Sequence, residues 1–297
     1  MRKSKEEKTF QIMGNTVMII MTILAVAPIL LVLIVSLTDN QTLIREGYRY
    51  FPKKWSLAAY DYIFMKNPQI VRAYLVSFEL TAAGTACALA ITTTLAYAIS
   101  RRGLPGRGLL TFYIFFTMLF NGGLVPQYVN YVNMFHIKDT FFGLLIPNLL
   151  CGAFNVMLMK SYFVSSIPNE ILEAAYIDGA TEGQTFLRVV VPLAKPIIAT
   201  IGLFAGIAYW NDWNNGYIYI MKATHLYSIQ NLLNRIVQNI NFLLQSSDSS
   251  AAALISELPS VSVRMAMSIA GVLPVLLIYP FVQNNFVKGI TLGGVKG

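Results

Sequence analysis

Six long apolar runs dominate this 297-residue sequence and leave few folds open to it. A helix needs about 20 mostly apolar residues to cross the hydrocarbon core of a bilayer. The runs extend from Ile12 to Leu37 (with Pro28 inside), Tyr74 to Ile99, Leu109 to about Tyr128, Phe141 to Phe163, Leu193 to about Tyr209, and Met265 to Phe286. Asn121-Gly122-Gly123 interrupts the end of the third run, and Trp210-Asn211-Asp212 the end of the fifth. Only 12% of the residues are charged and 56% are hydrophobic, whereas a soluble domain carries about 25% charged residues. That excludes a disordered chain, a disulfide-stapled module and a typical cytosolic enzyme. The pattern predicts an all-α membrane protein with six transmembrane helices.

The net charge of +8 sits at the edges of the apolar runs, which points to anionic lipid and away from nucleic acid. Arg2, Lys3, Lys5 and Lys8 precede the first run, and Arg101, Arg102 and Arg107 separate the second from the third. With alternating helices both segments share a side, and short basic loops mark the cytoplasm. Six spans then put both termini in the cytoplasm. The first outer loop opposes this, with Arg45, Arg49, Lys53, Lys54, Lys66 and Arg72 spread over more than thirty residues. Ala25-Val26-Ala27 resembles a signal-peptide cleavage site, but Pro28 follows and the apolar run continues to Leu37, which fits a retained anchor. Cys87 and Cys151 lie inside apolar runs and read as small hydrophobes. A long outer segment, 218–264, carries an amphipathic pattern at Ile229, Leu232, Leu233, Ile236, Val237, Ile240, Leu243 and Leu244, with Ser228 as N-cap. Ser246 to Ser250 reads as a flexible link.

Catalytic motifs are missing from the sequence. It holds no G-x-x-x-x-G-K-[ST] phosphate loop, no dinucleotide fingerprint, no nucleophile elbow and no Cys/His metal spacing. His136 and His225 fall in separate outer loops. An intramembrane charge is costly and usually functional, yet only Glu79 and Asp212 lie within the spans, each near an outer end. An ion-driven carrier needs more such groups near the midplane. If the chain moves a solute, its energy comes from another subunit.

The inner loop, 160–192, has the most specific pattern. Ser166 is placed to cap a helix whose early Pro168 costs no hydrogen bond. Gly179 ends that helix in the left-handed region. Thr181 with Gln184 forms a capping box for a second short helix, which Pro192 breaks before the membrane is re-entered. Two readings stay open on these grounds: a connector packed on its own bundle, or a docking element for a cytoplasmic partner.

Glu173-Ala174-Ala175, three residues, Gly179, nine residues, then Val189-Val190-Val191-Pro192 resembles the cytoplasmic EAA motif of ABC importer permeases, with valine at both aliphatic positions. Tyr97-Ala98-Ile99-Ser100-Arg101, Asn121 to Pro126, Trp210 to Trp213 and the ending Tyr279 to Gln283, Lys288 to Ile290 and Val295 to Gly297 are similar to the carbohydrate type. The likeness is to the subgroup of the maltose-importer second permease and of complex-polysaccharide permeases. The resemblance covers Ala73 to Gly297; residues 1–72 hold the tail, first helix and first outer loop, and 73–297 a five-helix core. It implies a type I importer fold in which Glu173, Ala174, Ala175, Asp178, Gly179 and Pro192 couple to an ATPase. It also implies a second permease, two ATPase subunits, an outer solute-binding protein and a carbohydrate cargo in a bacterial cell membrane. No cofactor belongs to this chain, since ATP and magnesium would sit on the ATPase subunits.

A substrate pathway is expected at the outer end of the fifth helix. Trp210, Asn211, Asp212, Trp213 and Asn214 gather rings that stack on a sugar face and groups that bond hydroxyls. Asn121 and Gln127 on the third helix approach the same cavity, and Glu79 sits at the outer end of the second. Against this stand interfacial anchoring for the tryptophans and local capping for Asp212. Gly202 and Gly206 form a G-x-x-x-G pair, read as packing within the chain or as a subunit contact. The outer-loop rings Tyr48, Tyr50, Phe51 and Trp55 are read as interfacial anchors or as contacts for a binding protein. The wider alternatives are an ABC permease for a non-sugar solute, a secondary transporter, and a membrane assembly protein.

Overall fold

The computed structural model describes residues 5–66, 68–245 and 261–294. These residues are helical throughout, apart from turns and one isolated bridge between Thr38 and Trp55. The chain divides into two compact units, Met1–Val71 with Ile236–Leu273, and Arg72–Arg235 with Pro274–Gly297. The Ser246 to Ser250 link and the Val295 to Gly297 ending lie outside the described residues.

In the first unit α1 (Lys5–Ser36) passes unbroken through Pro28. Its apolar side chains stay exposed over Phe10 to Leu30, as lipid-facing groups are. Asp39 caps the short α2 (Asn40–Glu46) by accepting from the Thr42 amide. The loop beyond folds back through Asp39 N–H to the Lys54 carbonyl and Ser56 N–H to that of Leu37. Glu46 pairs with Lys53 at 2.7 Å and Arg49 at 3.3 Å, and Asp39 with Lys54 at 3.5 Å. Three cations of the troublesome outer loop are therefore matched locally. The rings of Tyr48, Tyr50, Phe51 and Trp55 are exposed.

The second unit begins with α3 (Pro68–Ser100), long and apolar enough to cross a membrane alone, as is 10–36 of α1. The third run departs from a straight span. It splits into α4 (Arg107–Leu119) and α5 (Leu124–Val129), which a π turn extends to Met134, and the halves bend by 117°. The break is the Asn121-Gly122-Gly123 triplet, with Gly123 at φ +88° and its amide bonded to Asn121 Oδ1 at 2.9 Å. The fourth run is broken as well, into α6 (Phe141–Leu145) and α7 (Ala153–Ser166). Pro147 and left-handed Asn148 (φ +63°) separate them.

The inner loop folds as α8 (Asn169–Ile177) and α9 (Glu182–Thr185), continued by a π turn and Val191–Leu193. Re-entry is α10 (Lys195–Asn211). Two sequence assignments shift here. Ser166 belongs to the end of α7 and does not cap α8, which starts after Pro168 without a side-chain cap. Pro192 does not break the helix where it stands; it sits in the first turn of Val191–Leu193, where its missing donor costs little, and the 81° bend comes at Ala194. The short α11 (Asn214–Tyr219) follows, and α12 (Ile229–Gln245) and α13 (Val261–Gly294, through Pro274 and Pro280) each have residues in both units. Ser228 Oγ accepts from the Asn231 amide, the N-cap expected of it. Of the amphipathic positions, Ile229 and Leu232 are buried while Val237 is exposed.

Lipid offers apolar side chains as good an environment as another helix does, so close packing and internal hydrogen bonds must hold the helices together. The core gathers Ile99 from α3, Met159 and Phe163 from α7, Val190 before the bend, and Ile197 and Ile201 from α10. Further out, Tyr209 lies so close to Gly84 that a Cβ there would come within 2.5 Å of the ring. A Cβ at Gly202 would touch Leu89 at 3.3 Å, and one at Gly206 would touch Thr85 at 3.5 Å. The G-x-x-x-G pair therefore packs against α3 of its own chain.

Candidate functional site

The inner loop presents a short helix on a firm base. Leu172 is buried in the core cluster, so it pins one face of α8. Glu173, Ala174, Asp178 and Gly179 stay exposed, and Ala175 is half-buried. Gly179 takes φ +79°. The Ala180 amide bonds the Ala175 carbonyl and the Gly179 amide that of Tyr176, the paired bonds of a Schellman ending. A side chain at Gly179 meets no atom within 4 Å, so glycine is required by the backbone and not by space. The capping box of Thr181 and Gln184 is present on both sides. Pro192 is exposed on the re-entry segment.

Beside α8 lies a groove of about 730 Å³, bounded by Tyr97, Arg101 and Arg102 on one side and by Asn169, Glu173 and Glu182 on the other. Glu182 spans it. Tyr97 Oη donates to Glu182 Oε1 at 2.6 Å, and Tyr176 Oη donates to Oε2. The Arg101 guanidinium stacks over the Tyr97 ring at 4.6 Å. Partial burial works against the charge on Glu182, but the two hydroxyl donors and Arg101 outweigh it and hold the carboxyl below its ordinary range.

The predicted pathway residues are brought together only in part. Trp210 is buried, its ring edge-on to Phe78 at 5.1 Å. Asp212 Oδ1 accepts from the amides of Asn214 at 3.1 Å and Asn215 at 3.3 Å, which caps α11. Its Oδ2 is buried without a hydrogen-bond partner among the described residues. Trp213 is 42% exposed and packs near Tyr217. Asn211, Asn214, Asn121 and Glu79 are exposed. Gln127 turns to Asn148 Oδ1 at 2.6 Å, so it closes the break in the fourth run. An apolar cavity of about 610 Å³ lies between α3 and α10, walled by Thr81, Thr85, Leu89, Gly202, Gly206 and Trp210 among others.

Sequence reading missed the groups that organise the outer side. Asp139 Oδ1 accepts from the amides of Met221 at 2.7 Å, Lys222 at 2.7 Å and Ala223 at 3.1 Å. Slight burial raises its proton affinity, but those amides and nearby Lys138 overcome this and depress its pKa. Arg235 donates to the carbonyls of Ile220 at 2.7 Å and Gly216 at 3.4 Å, and stacks on Tyr227 at 4.5 Å. Asn215, fully buried, donates to the Pro147 carbonyl at 2.8 Å and that of Leu144 at 3.4 Å. The hydrogen-bonded partners lie 15 to 84 residues apart along the chain, and no local motif announces them. Among the described residues no group of three or more His, Cys, Asp or Glu is placed to hold a metal ion.

Comparison with known proteins places this architecture. The model of the family described as "binding-protein-dependent transport system inner membrane component" matches residues 8–292. The polygalacturonan/rhamnogalacturonan transport system permease protein YtcP of Bacillus subtilis (strain 168) is 34% identical over 292 residues, 98% of this chain and 100% of that one. Protein LplC of the same organism is 33% identical over 274 residues, 92% of this chain and 90% of that one. A crystal structure of a bacterial ABC transporter involved in the import of the acidic polysaccharide alginate contains a chain that superposes with a TM-score of 0.82. It has 28% sequence identity, covering 96% of this chain and 99% of that one. The chain belongs to the binding-protein-dependent transport system inner membrane component family and has its helical permease fold.

Proposed function

From that membership we propose that the chain is the membrane permease subunit of an ATP-driven importer for a carbohydrate, either an oligosaccharide or a polysaccharide fragment. The observation that carries this is the exposed α8. It presents Glu173, Ala174, Asp178 and Gly179 outward, with Ala175 half-buried beside them, while Leu172 roots it in the core. A partner that binds this helix can push on the span bundle without first unfolding the loop. In this reading the partner is one of two ATPase subunits, which bind ATP and magnesium and hydrolyse the nucleotide. Asp178 and Gly179 shape the docking end, and Pro192 carries the load into the bend before α10. A second permease completes the pathway, an outer binding protein delivers the sugar, and both termini face the cytoplasm of a bacterial cell. The saccharides named for the relatives support a sugar cargo. On the outer side Trp213, Asn211, Asn214 and Asp212 line the route, with Asn121, Gln127 and Glu79 on the facing spans and Trp210 behind them as support.

Uptake of labelled oligogalacturonates by cells lacking this chain, complemented with it or with Asp212→Asn or Trp213→Ala, tests the reading. Asp212→Asn keeps the oxygen that caps α11, so it alters charge and not the fold. The native chain should restore ATP-dependent uptake, and both variants should lower it while the assembled complex persists. Uptake in vesicles that contain no ATPase would place the chain among secondary carriers instead.

A further inference from the structure

We infer that Glu182 is a latch that makes α8 and the inner end of α3 move as one body, a positioning role that rests on the transport reading above. Three elements meet at its carboxylate. Tyr97 comes from the last turn of α3, Tyr176 from the last turn of α8, and Glu182 itself opens α9 just after its Thr181 cap. Each oxygen accepts from a different tyrosine, Oε1 from Tyr97 and Oε2 from Tyr176. Hydrogen bonds to an ionised acceptor are about twice as strong as neutral ones. The Tyr97 ring is in turn fixed: it lies 4.8 Å from Phe186, 6.4 Å from Phe163 and under the Arg101 guanidinium. A displacement of α8 therefore has a short polar route into α3.

Without the latch, the apolar anchor at Leu172 would still hold α8 near the bundle. Apolar contacts of this kind are non-directional and allow sliding, whereas the two-armed carboxylate fixes the distance across the groove that Arg101, Arg102, Asn169 and Glu173 border. Tyr97 lies on α3 and Glu182 on α9, outside α8, so substituting either leaves Glu173, Ala174, Ala175, Asp178 and Gly179 unchanged. The latch thus acts on transmission of a push and not on capture of the partner.

The test uses the whole complex, purified from membranes with its ATPase subunits, in a chain whose Cys87 and Cys151 are replaced by alanine. Spin labels at Ile177→Cys on α8 and Arg102→Cys beyond α3 report the distance across the groove, without nucleotide and with ATP plus vanadate. ATP hydrolysis is measured alongside. With the latch intact the distance distribution should be the same in both states. In Glu182→Ala and in Tyr97→Phe a second distance should gain share in the distribution by about tenfold when nucleotide is added, the factor a typical coupling free energy gives. Tyr97→Phe keeps the packed ring, so it removes one arm without disturbing the core. Distributions that stay unchanged in both variants, with hydrolysis intact, overturn the proposal alone. Loss of the ATPase subunits from Glu182→Ala while Tyr97→Phe behaves as the native chain also overturns it, because Glu182 would then act on docking. A native complex that carries no ATPase and hydrolyses no ATP refutes the transport reading, and this inference with it.

Discussion

Asp139 shows how much one side chain can organise when three amides converge on it. Its loop position is left-handed at φ +56°, its own amide bonds the Tyr219 carbonyl at 2.9 Å, and one oxygen gathers the backbone of 221–223. Ordering two loops costs conformational entropy, about 1–2 kcal/mol per fixed residue, and bonds to an ionised acceptor help offset it. Since the folded pKa is depressed, the stabilisation is complete above the unfolded value of about 4. It is lost as pH falls through the lower folded value. Thermal unfolding of the purified chain should therefore show a gap between native protein and Asp139→Asn that is constant from neutral to mildly acidic pH. The gap should close below about pH 4, where the native carboxyl takes up its proton. A gap that widened on acidification would contradict the clamp.

At the scale of elements, α8 and its Schellman ending set out a clean prediction. Gly179 has open space around it and a positive φ, so substitution strains the backbone by about 1–2 kcal/mol without any clash. Gly179→Val should loosen the α8 to α9 turn and raise its cleavage by a protease, whereas Gly179→Asn, a residue that tolerates the left-handed region, should stay near native. Equal cleavage of both would place the cause elsewhere. This turn was legible in the sequence because its signals are local: a glycine, a threonine and a glutamine at fixed offsets. The carboxylate latch was not, because Tyr97 lies 85 residues from Glu182. The fourth apolar run failed for the same reason. Hydropathy reads it as one helix, yet a broken backbone at membrane depth survives when other groups satisfy it. Here Asn215 reaches the carbonyls of Leu144 and Pro147, and the Tyr209 hydroxyl reaches that of Leu145 at 2.8 Å. The third run gave a visible warning in Asn121-Gly122-Gly123, and its 117° bend follows from it. The pathway segment was half legible. Its residue types were in place, but the structure assigns Asp212 to a cap and Trp210 to the interior.

For the whole molecule the question is which segments share a side of the membrane, and two polar links within the second unit constrain the answer. Glu182 bonds Tyr97, so the inner loop and the Arg101-Arg102 end of α3 lie together. Asp139 bonds residues 221–223, so the loop after the third run and the segment after α10 lie together. Suppose the bent third run turned back instead of crossing. Residue 139 would then lie on the side of Tyr97, and 221–223 with it. α10 would have to begin and end on one face, although its 17 residues rise about 25 Å along a single axis. The third run therefore crosses despite its bend. Arg101, Arg102 and Arg107 give one side an excess of cations, while on the first outer loop Arg49, Lys53 and Lys54 are paired with Glu46 and Asp39. In the orientation proposed above this short basic cluster faces the cytoplasm. With Cys87 and Cys151 replaced, single cysteines at Asp178 and Lys222, both exposed, should respond oppositely to a membrane-impermeant maleimide. Intact cells lacking an outer barrier should label position 222 alone, and permeabilised cells should label both. Labelling of 178 alone in intact cells would invert the orientation. Labelling of both before permeabilisation would break the parity that the two polar links impose.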